Sequence, residues 1–177
     1  DNLVLVSVGR LAAEKNVEEL LRLRAAMGSE AVTLLLVGDG PHRARLEAVA
    51  AELGLRAPAV VFAGMVPPEQ VGDWYQLGDL FVSASTSETQ GLTYAEALAA
   101  GVPALCRADP CLSGVIRDGE NGWQYQDEAD FMRKLSLFRS QPHRREQRCR
   151  GARGRAGSFS GETFACRMER LYLDQIR

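Results

Sequence analysis

No long apolar run occurs in the 177-residue sequence, although 46% of its residues are hydrophobic. The longest runs, such as residues 33–37 and 80–82, are far shorter than the roughly 20 apolar residues that a membrane-spanning helix needs. Residue 1 is Asp, and no charged-then-apolar leader precedes the first strand pattern. We therefore expect neither a transmembrane protein nor a secreted precursor, and we expect the chain to be a piece of a longer protein.

Cysteine is scarce and is not spaced for a shared ligand. The four cysteines form no C-x-x-C pair, and neither histidine lies at a zinc-like distance from them. No Asn-x-Ser/Thr acceptor for N-glycosylation is present. These absences favour reduced thiols, a cytoplasmic location and no metal site.

Several nucleotide-binding and catalytic motifs are also missing. There is no G-x-x-x-x-G-K-[ST] phosphate loop, no G-x-S-x-G nucleophile elbow and no Asp-x-Asp pair to hold a divalent metal on a diphosphate. Gly38-x-Gly40 lacks the third glycine of a dinucleotide fingerprint, because Arg43 stands at that position. The sequence therefore disfavours a P-loop protein, a hydrolase with a nucleophile elbow and a typical dinucleotide-binding domain.

Positive charge is missing from most of the chain. Residues 1–130 hold 9 basic and 19 acidic side chains, whereas residues 131–157 hold 9 basic side chains and one acidic side chain. A protein that binds nucleic acid through its main body is usually basic there, so we expect no nucleic-acid partner. The basic segment 131–157 has three readings: a solvated helix face that pairs with the acidic body, a surface for anionic lipid head groups, or a contact with another domain.

What is present is an alternation of short apolar runs and helical patterns. The runs predict six strands, at 3–8, 32–37, 60–63, 80–83, 103–106 and 122–125. Between them, Asn16 is expected to cap one helix, with Glu19 strengthening that start, and Pro41 is expected in the first turn of the next. This alternation predicts an α/β fold, in which a Rossmann-like parallel sheet is flanked by helices, followed by a helical tail over residues 127–177.

The loops after the strands are the expected ligand sites, because ligands of open α/β sheets bind beyond the carboxyl ends of the strands. The segment 83–101 reads S-A-S-T-S-E-T-Q-G-L-T-Y-A-E-A-L-A-A-G. It places Glu88 in a loop and Glu96 about one turn inside a helix. Because helical side chains lean toward the N-terminus, Glu96 is expected to reach back toward Glu88. Backbone N–H groups at the helix start suit an anion, and they belong to Gly91, Leu92 and Thr93.

Carboxylates beside an anion site repel the anion unless they bind neutral hydroxyl groups next to it. A diphosphate flanked by two sugars has that shape. Arg10 and Lys15 follow the first strand on the same sheet edge, and each charge-assisted hydrogen bond to phosphate contributes roughly 1.5–3 kcal/mol. Two cations and a helix terminus can neutralise a diphosphate without a metal, so we expect no cofactor.

Six motifs carry a resemblance to a known family. Three of them resemble the retaining glycosyltransferases of the GT-B fold, in particular the large sugar-nucleotide family called family 4: G-R-L-x-x-E-K-N at 9–16, G-D-G-P at 38–41 and E-x7-E at 88–96. Three more are most similar to bacterial diacylglycerol glucosyltransferases: S-E-T-Q-G-L-T-Y-x-E-A at 87–97, D-P-C-L at 109–112 and D-G-E-N-G at 118–122. Gln90 departs from the family pattern, since many members carry Phe there; the glycolipid branch tolerates Gln.

The resemblance implies a fold, a reaction and partners. Residues 1–177 would be the C-terminal, donor-binding half of a GT-B enzyme, whose N-terminal acceptor domain is absent from this chain. The enzyme would transfer a hexosyl group, with glucose as the first candidate, from a UDP-sugar to a lipid acceptor such as diacylglycerol. The transfer would retain the anomeric configuration of the sugar. The full-length protein would be cytoplasmic and could associate with an anionic membrane surface.

The resemblance also implies a role for each candidate residue. The donor diphosphate would be held by the side chains of Arg10 and Lys15 and by the backbone N–H groups of Gly91, Leu92 and Thr93. Glu96 would bind the ribose hydroxyl groups, and Glu88 would contact the transferred sugar. The loop containing Gly64 and Val66 would face the uracil ring.

The sequence also allows other interpretations of these residues and of the function. Arg10, Lys15 and Glu96 could each be solvated surface residues. The G-D-G sequence at 38–40 is more typical of a tight turn than of a ligand contact, and Trp74 and Tyr75 are more typical of packing than of base stacking. For the molecule as a whole, the alternatives are transfer to a polysaccharide, a sterol or another small molecule, a non-catalytic nucleotide-sugar binding module, or a nucleotide-sugar epimerase.

Overall fold

Strands and helices alternate along the chain in a computed structural model, which describes residues 2–28, 31–85, 91–140 and 149–152. The strands are β1 (Leu3–Val8), β2 (Val32–Val37), β3 (Val60–Gly64), β4 (Leu80–Ser83), β5 (Ala104–Arg107) and β6 (Gly122–Tyr125). The α-helices are α1 (Val17–Ala26), α2 (Arg43–Glu52), α3 (Val71–Gln76), α4 (Leu92–Ala99) and α5 (Glu128–Ser140). All six predicted strands are present, each within one residue of its expected bounds.

The six strands form one sheet in the order β3-β2-β1-β4-β5-β6, and every neighbouring pair is parallel. The chain first builds outward from β1 to β3 and then returns to the other side of β1 to add β4. The strand order therefore reverses between β1 and β4, which is where open α/β sheets bind their ligands. The predicted Rossmann-like parallel sheet flanked by helices is confirmed.

Two apolar clusters cover the two faces of the sheet. One cluster joins the sheet to α1, α2 and α5, and the other joins it to α3 and α4. In the second cluster the Phe81 ring lies between Tyr75 and Tyr94, with edge-on centroid distances of 5.7 and 5.4 Å. Such edge-to-face contacts add to the burial of apolar area, so they fix α3 and α4 against β4. The start of α4 is thereby held at the ligand-binding edge.

Two expected helix starts are wrong in detail. Helix α1 begins after Asn16 as expected, but the Asn16 side chain makes no capping bond to the backbone; its amide donates to the Glu19 carboxylate instead, at 2.7 Å. Helix α2 begins at Arg43, because residues 41 and 42 form a turn and Pro41 therefore precedes the helix. Turn and cap residues bias a helix start, but they do not fix which backbone group they bind.

The expected helical tail is described only in part. Helix α5 runs over Glu128–Ser140, and residues 149–152 are also helical. Residues 141–148 and 153–177, with Cys166 and the rest of the predicted tail, lie outside the described residues. Among the helices of the described ranges, none combines the length and the apolar character needed to cross a bilayer.

Candidate functional site

A cleft opens at the carboxyl ends of β1 and β4, where the strand order reverses. It is lined by Ser7, Val8, Gly9, Arg10, Leu11, Lys15, Val17, Ser83 and Thr93. The predicted cations Arg10 and Lys15 come from the loop after β1, and Thr93 is the second residue of α4. The fold therefore brings three of the predicted donor-binding residues to one cleft.

The loop over residues 9–16, here called the cation loop, lies against the turn after β2. Leu11 donates its N–H to the Asp39 carbonyl at 3.0 Å, and His42 donates to the Leu11 carbonyl at 2.9 Å. A Cβ atom at Gly38 would lie 2.0 Å from the Gly9 carbonyl oxygen, and one at Gly40 would lie 2.4 Å from the Leu11 carbonyl oxygen. The two glycines of G-D-G thus let the turn approach the cation loop closely, which is a structural role.

Arg10 is largely exposed, and its guanidinium lies 2.6 Å from a carboxylate oxygen of Glu14. A hydrogen bond from the backbone of Glu14 and the nearby Arg10 side chain lower the pKa of that carboxyl group. Exposed ion pairs of this kind contribute little to stability, so the bond to Glu14 opposes contact between Arg10 and an incoming anion only weakly.

The start of α4 lies at the cleft, where Thr93 is one of the lining residues. Gly91 precedes the helix with φ of 62°, and no side chain of the described residues caps this end. In an α-helix the first N–H groups, here those of Leu92 and Thr93, have no acceptor within the helix itself. Such an end attracts negative charge because the helix dipole adds to the exposed donors.

Glu96 lies one turn into α4 with its side chain exposed, and a buried tyrosine holds it. The hydroxyl group of Tyr75 lies 3.0 Å from a Glu96 carboxylate oxygen and 3.1 Å from the Thr93 carbonyl oxygen. Tyr75 itself is fully buried, which confirms packing rather than base stacking for its ring. No sequence motif indicates the bond between Tyr75 and Glu96, because the two residues are 21 positions apart.

Gly64 and Val66 do not line the cleft. They lie at the end of β3, two strands away from β1, where the Gly64 carbonyl accepts the N–H of Gly38 at 2.8 Å. Val66 is half-buried and packs against the apolar cluster under α3 and α4. The loop after β3 lies on the same edge of the sheet as the cleft. Helix α3, which carries Tyr75, follows this loop in the chain.

Glu88 and Gln90 lie outside the described residues, since the description stops at Ser85 and resumes at Gly91. The predicted contact of Glu88 with a transferred sugar stays a prediction. Within the described ranges, no three His, Cys, Asp or Glu side chains are grouped so that they could hold a metal ion.

A second polar cluster near the cleft was not singled out from the sequence. The Glu19 carboxylate accepts hydrogen bonds from Asn16, Arg107 and Tyr125, at 2.7, 2.7 and 2.9 Å. Arg107 and Tyr125 are the last residues of β5 and β6, so they stand on the same sheet edge as the cation loop. The sequence does contain one sign of this cluster, namely polar residues at the ends of two neighbouring strands.

Comparison with known proteins matches residues 1–155 to the family model described as "Glycosyl transferases group 1". The chain is 35% identical over 175 residues to an alpha-monoglucosyldiacylglycerol synthase of Streptococcus pneumoniae, covering 97% of this chain and 39% of that protein. It is 31% identical over 178 residues to a protein of the same name from Acholeplasma laidlawii, covering 99% and 44%. The chain thus spans about two fifths of the length of these relatives.

The fold is shared with solved glycosyltransferase structures of the GT-B type. The Anabaena protein Alr3699/HepE, solved in complex with UDP and glucose, superposes with a TM-score of 0.85 at 20% identity, covering 98% of this chain and 48% of that one. At this identity the likeness concerns the fold alone. The family match over residues 1–155 and the identity to the two synthases confirm the resemblance seen in the motifs: the chain belongs to the group 1 glycosyltransferases.

Proposed function

We propose that this chain is the donor-binding half of a retaining glycosyltransferase. The enzyme transfers a hexosyl group, with glucose as the first candidate, from a UDP-sugar to a lipid hydroxyl such as that of diacylglycerol. The observation that carries the proposal is the cleft between β1 and β4. There, Arg10 and Lys15 line the same space as Thr93 at the start of α4. Two cations and a helix start on one cleft match the charge of a diphosphate.

The reaction would depend on stabilising the departing UDP. Negative charge builds on the diphosphate as the bond to the sugar breaks, and groups that are already in place stabilise that charge at no cost of reorganisation. Arg10, Lys15 and the N–H groups at the start of α4 would serve this role, without a metal. Glu96, held by the Tyr75 hydroxyl, would accept hydrogen bonds from the ribose, and Glu88 would contact the sugar.

The comparisons support the donor and the acceptor to different degrees. The fold neighbour from Anabaena contains UDP and glucose, which supports a UDP-sugar donor. The two synthases carry glycolipid names, and the D-P-C-L and D-G-E-N-G motifs resemble that branch, which supports a lipid acceptor. The acceptor would bind mainly to the part of the protein that this chain does not include.

Calorimetry with UDP, ADP and GDP tests the donor site. We expect UDP to bind most tightly, and we expect Lys15→Ala to weaken UDP binding by about tenfold or more, because it removes a charge-assisted hydrogen bond to phosphate. Equal affinity for the three diphosphates, or unchanged UDP affinity in Lys15→Ala, would contradict the proposal.

The matched control is Arg133→Ala. Arg133 is exposed on α5 and pairs with Asp130 at 2.5 Å, away from the cleft. The other lysine of the chain, Lys134, is unsuitable as a control because it is buried: its ammonium group contacts the Gln124 carbonyl and lies 3.1 Å from Asp130 and 3.4 Å from Asp118. Its removal would take one partner from the Gln124 carbonyl, from Asp130 and from Asp118, and would lower stability.

A further inference from the structure

The Glu19 carboxylate joins three parts of the ligand-binding edge. It lies in the first turn of α1 with 21% of its side chain exposed. One carboxylate oxygen accepts from the Asn16 amide, and the other accepts from the Arg107 guanidinium and the Tyr125 hydroxyl. Asn16 ends the cation loop, whereas Arg107 and Tyr125 end β5 and β6.

The strand side of this cluster is firmly placed. Tyr125 is fully buried, and its ring packs edge-on against Phe131 of α5 at 5.0 Å. Burial and the adjacent Glu19 carboxylate raise the pKa of the Tyr125 hydroxyl, so it stays a hydrogen-bond donor. Arg107 follows the parallel register of β5 and β6, in which it pairs with Tyr125. Glu19 is therefore anchored to the sheet rather than to a mobile surface.

The loop side of the cluster holds a left-handed backbone conformation, which asparagine adopts more readily than other residues with a side chain but which is still uncommon. Asn16 has φ of 49° and ψ of 38°, and it is the only residue other than glycine with positive φ in the described ranges. A left-handed residue with a side chain persists where its surroundings impose that conformation. The bond from the Asn16 amide to Glu19 is such a constraint, and Asn16 directly follows Lys15.

We propose that Glu19 is a positioning residue, which fixes the left-handed turn at Asn16 and thereby places Lys15 for the donor diphosphate. This inference rests on the proposed function, since it assigns a role within the same site. Glu19 would not touch the donor. It would transmit the position of β5 and β6 to the cation loop.

Glu19→Gln tests the inference with little change in shape. A glutamine has one acceptor oxygen, so it cannot accept from Asn16 on one side and from Arg107 and Tyr125 on the other. The matched control is Glu18→Gln, the neighbouring position on α1. Glu18 pairs with Arg22 and Arg45 and has no described bond to the cation loop.

The measurement is calorimetry of UDP and uridine with wild type, Glu19→Gln and Glu18→Gln, with thermal unfolding of each variant. We expect Glu19→Gln to weaken UDP binding about threefold to tenfold, while uridine, which lacks the diphosphate, binds within about twofold of wild type. Glu18→Gln should leave both affinities unchanged. Unchanged UDP affinity in Glu19→Gln, or equal losses for UDP and uridine, would overturn the inference.

The double variant Lys15→Ala/Glu19→Gln separates positioning from general loss of structure. If Glu19 acts through Lys15, the double variant binds UDP no more weakly than Lys15→Ala alone. Additive losses would overturn the inference while the proposed function stands, because UDP would still bind wild type and depend on Lys15. If wild type does not bind UDP, the proposed function and this inference both fall.

If Glu19→Gln does not fold, Tyr125→Phe removes one donor to the same oxygen, and the same selective loss for UDP is expected.

Discussion

The Tyr75 hydroxyl is the polar end of a side chain whose ring belongs to the core. The ring packs on Phe81 at 5.7 Å, and the hydroxyl lies 3.0 Å from the Glu96 carboxylate. Tyr75→Phe keeps the ring and removes the hydroxyl contacts with the Glu96 carboxylate and the Thr93 carbonyl. We expect it to weaken UDP binding about threefold, as measured by calorimetry, because one hydrogen bond no longer orients the carboxylate that would hold the ribose.

The double variant with Glu96→Gln is the internal control for this prediction. Glu96→Gln alone should weaken UDP binding, since an amide is a weaker acceptor of hydroxyl groups than a carboxylate. Adding Tyr75→Phe to it should change little if the tyrosine acts through Glu96. A Tyr75→Phe variant with wild-type affinity would contradict the orienting role, and unchanged affinity in Glu96→Gln would remove Glu96 from the ribose.

At this scale the sequence predicts some neighbours and not others. Arg10, Lys15 and Thr93 could be placed together because loops after parallel strands share one edge. The bond between Tyr75 and Glu96 spans 21 positions, and the bond between Glu19 and Tyr125 spans 106. Such contacts depend on the strand order and on side-chain directions, neither of which a motif encodes.

The turn after β2 and the cation loop act as one element because their backbones touch. Gly40 has no left-handed requirement, but a Cβ atom there would meet the Leu11 backbone at 2.4 Å. Gly40→Ala must push the cation loop away from the turn. We expect it to destabilise the protein by about 2 kcal/mol or more in denaturant unfolding, and to weaken UDP binding as the loop is displaced.

Gly72→Ala is the control for this clash. Gly72 lies in α3, and a Cβ atom there would meet nothing within 4 Å. Because alanine favours a helix over glycine, this variant should be neutral or more stable by up to about 1 kcal/mol. If both glycine variants unfold at the wild-type denaturant concentration, the close approach of turn and loop is not needed for stability.

Element boundaries were predictable where composition and geometry agree. The strand predicted over 122–125 has its observed bounds, and the strand predicted over 103–106 lies one residue before the observed β5. The start of α1 was placed correctly for an incorrect reason. The sequence predicts that Asn16 and Glu19 cap the helix. In the structure Asn16 is left-handed and its side-chain amide donates to the Glu19 carboxylate, which is itself bonded to the sheet edge.

The charge asymmetry of the whole chain is only partly explained by the described residues. In the basic segment 131–157, Arg133 pairs with Asp130, and Lys134 lies between Asp118 and Asp130, so two of its cations pair with carboxylates. Residues 141–148 and 153–157 lie outside the described ranges, and they hold most of the remaining arginines. The three readings of the segment stay predictions.

The size of the chain bears on what it can do alone. It spans 39% and 44% of the two synthases, and its fold contains the cleft in which we propose that the donor diphosphate binds. A donor bound on one half without a facing acceptor half is not held next to a hydroxyl nucleophile, and alignment of two reactants supplies a large part of enzymatic rate enhancement. We expect the 177-residue chain to bind UDP but to transfer little or no glucose.

Two measurements on the same preparation test this expectation. Calorimetry with UDP reports whether the donor site is formed, and a product assay with UDP-glucose and diacylglycerol in detergent micelles reports transfer. Binding without glycolipid product is the expected result, and Lys15→Ala should weaken the binding by about tenfold or more without altering the thermal unfolding of the chain. Sustained glycolipid synthesis by the chain alone would contradict the expectation, because it would require the acceptor to be recognised by residues within these 177.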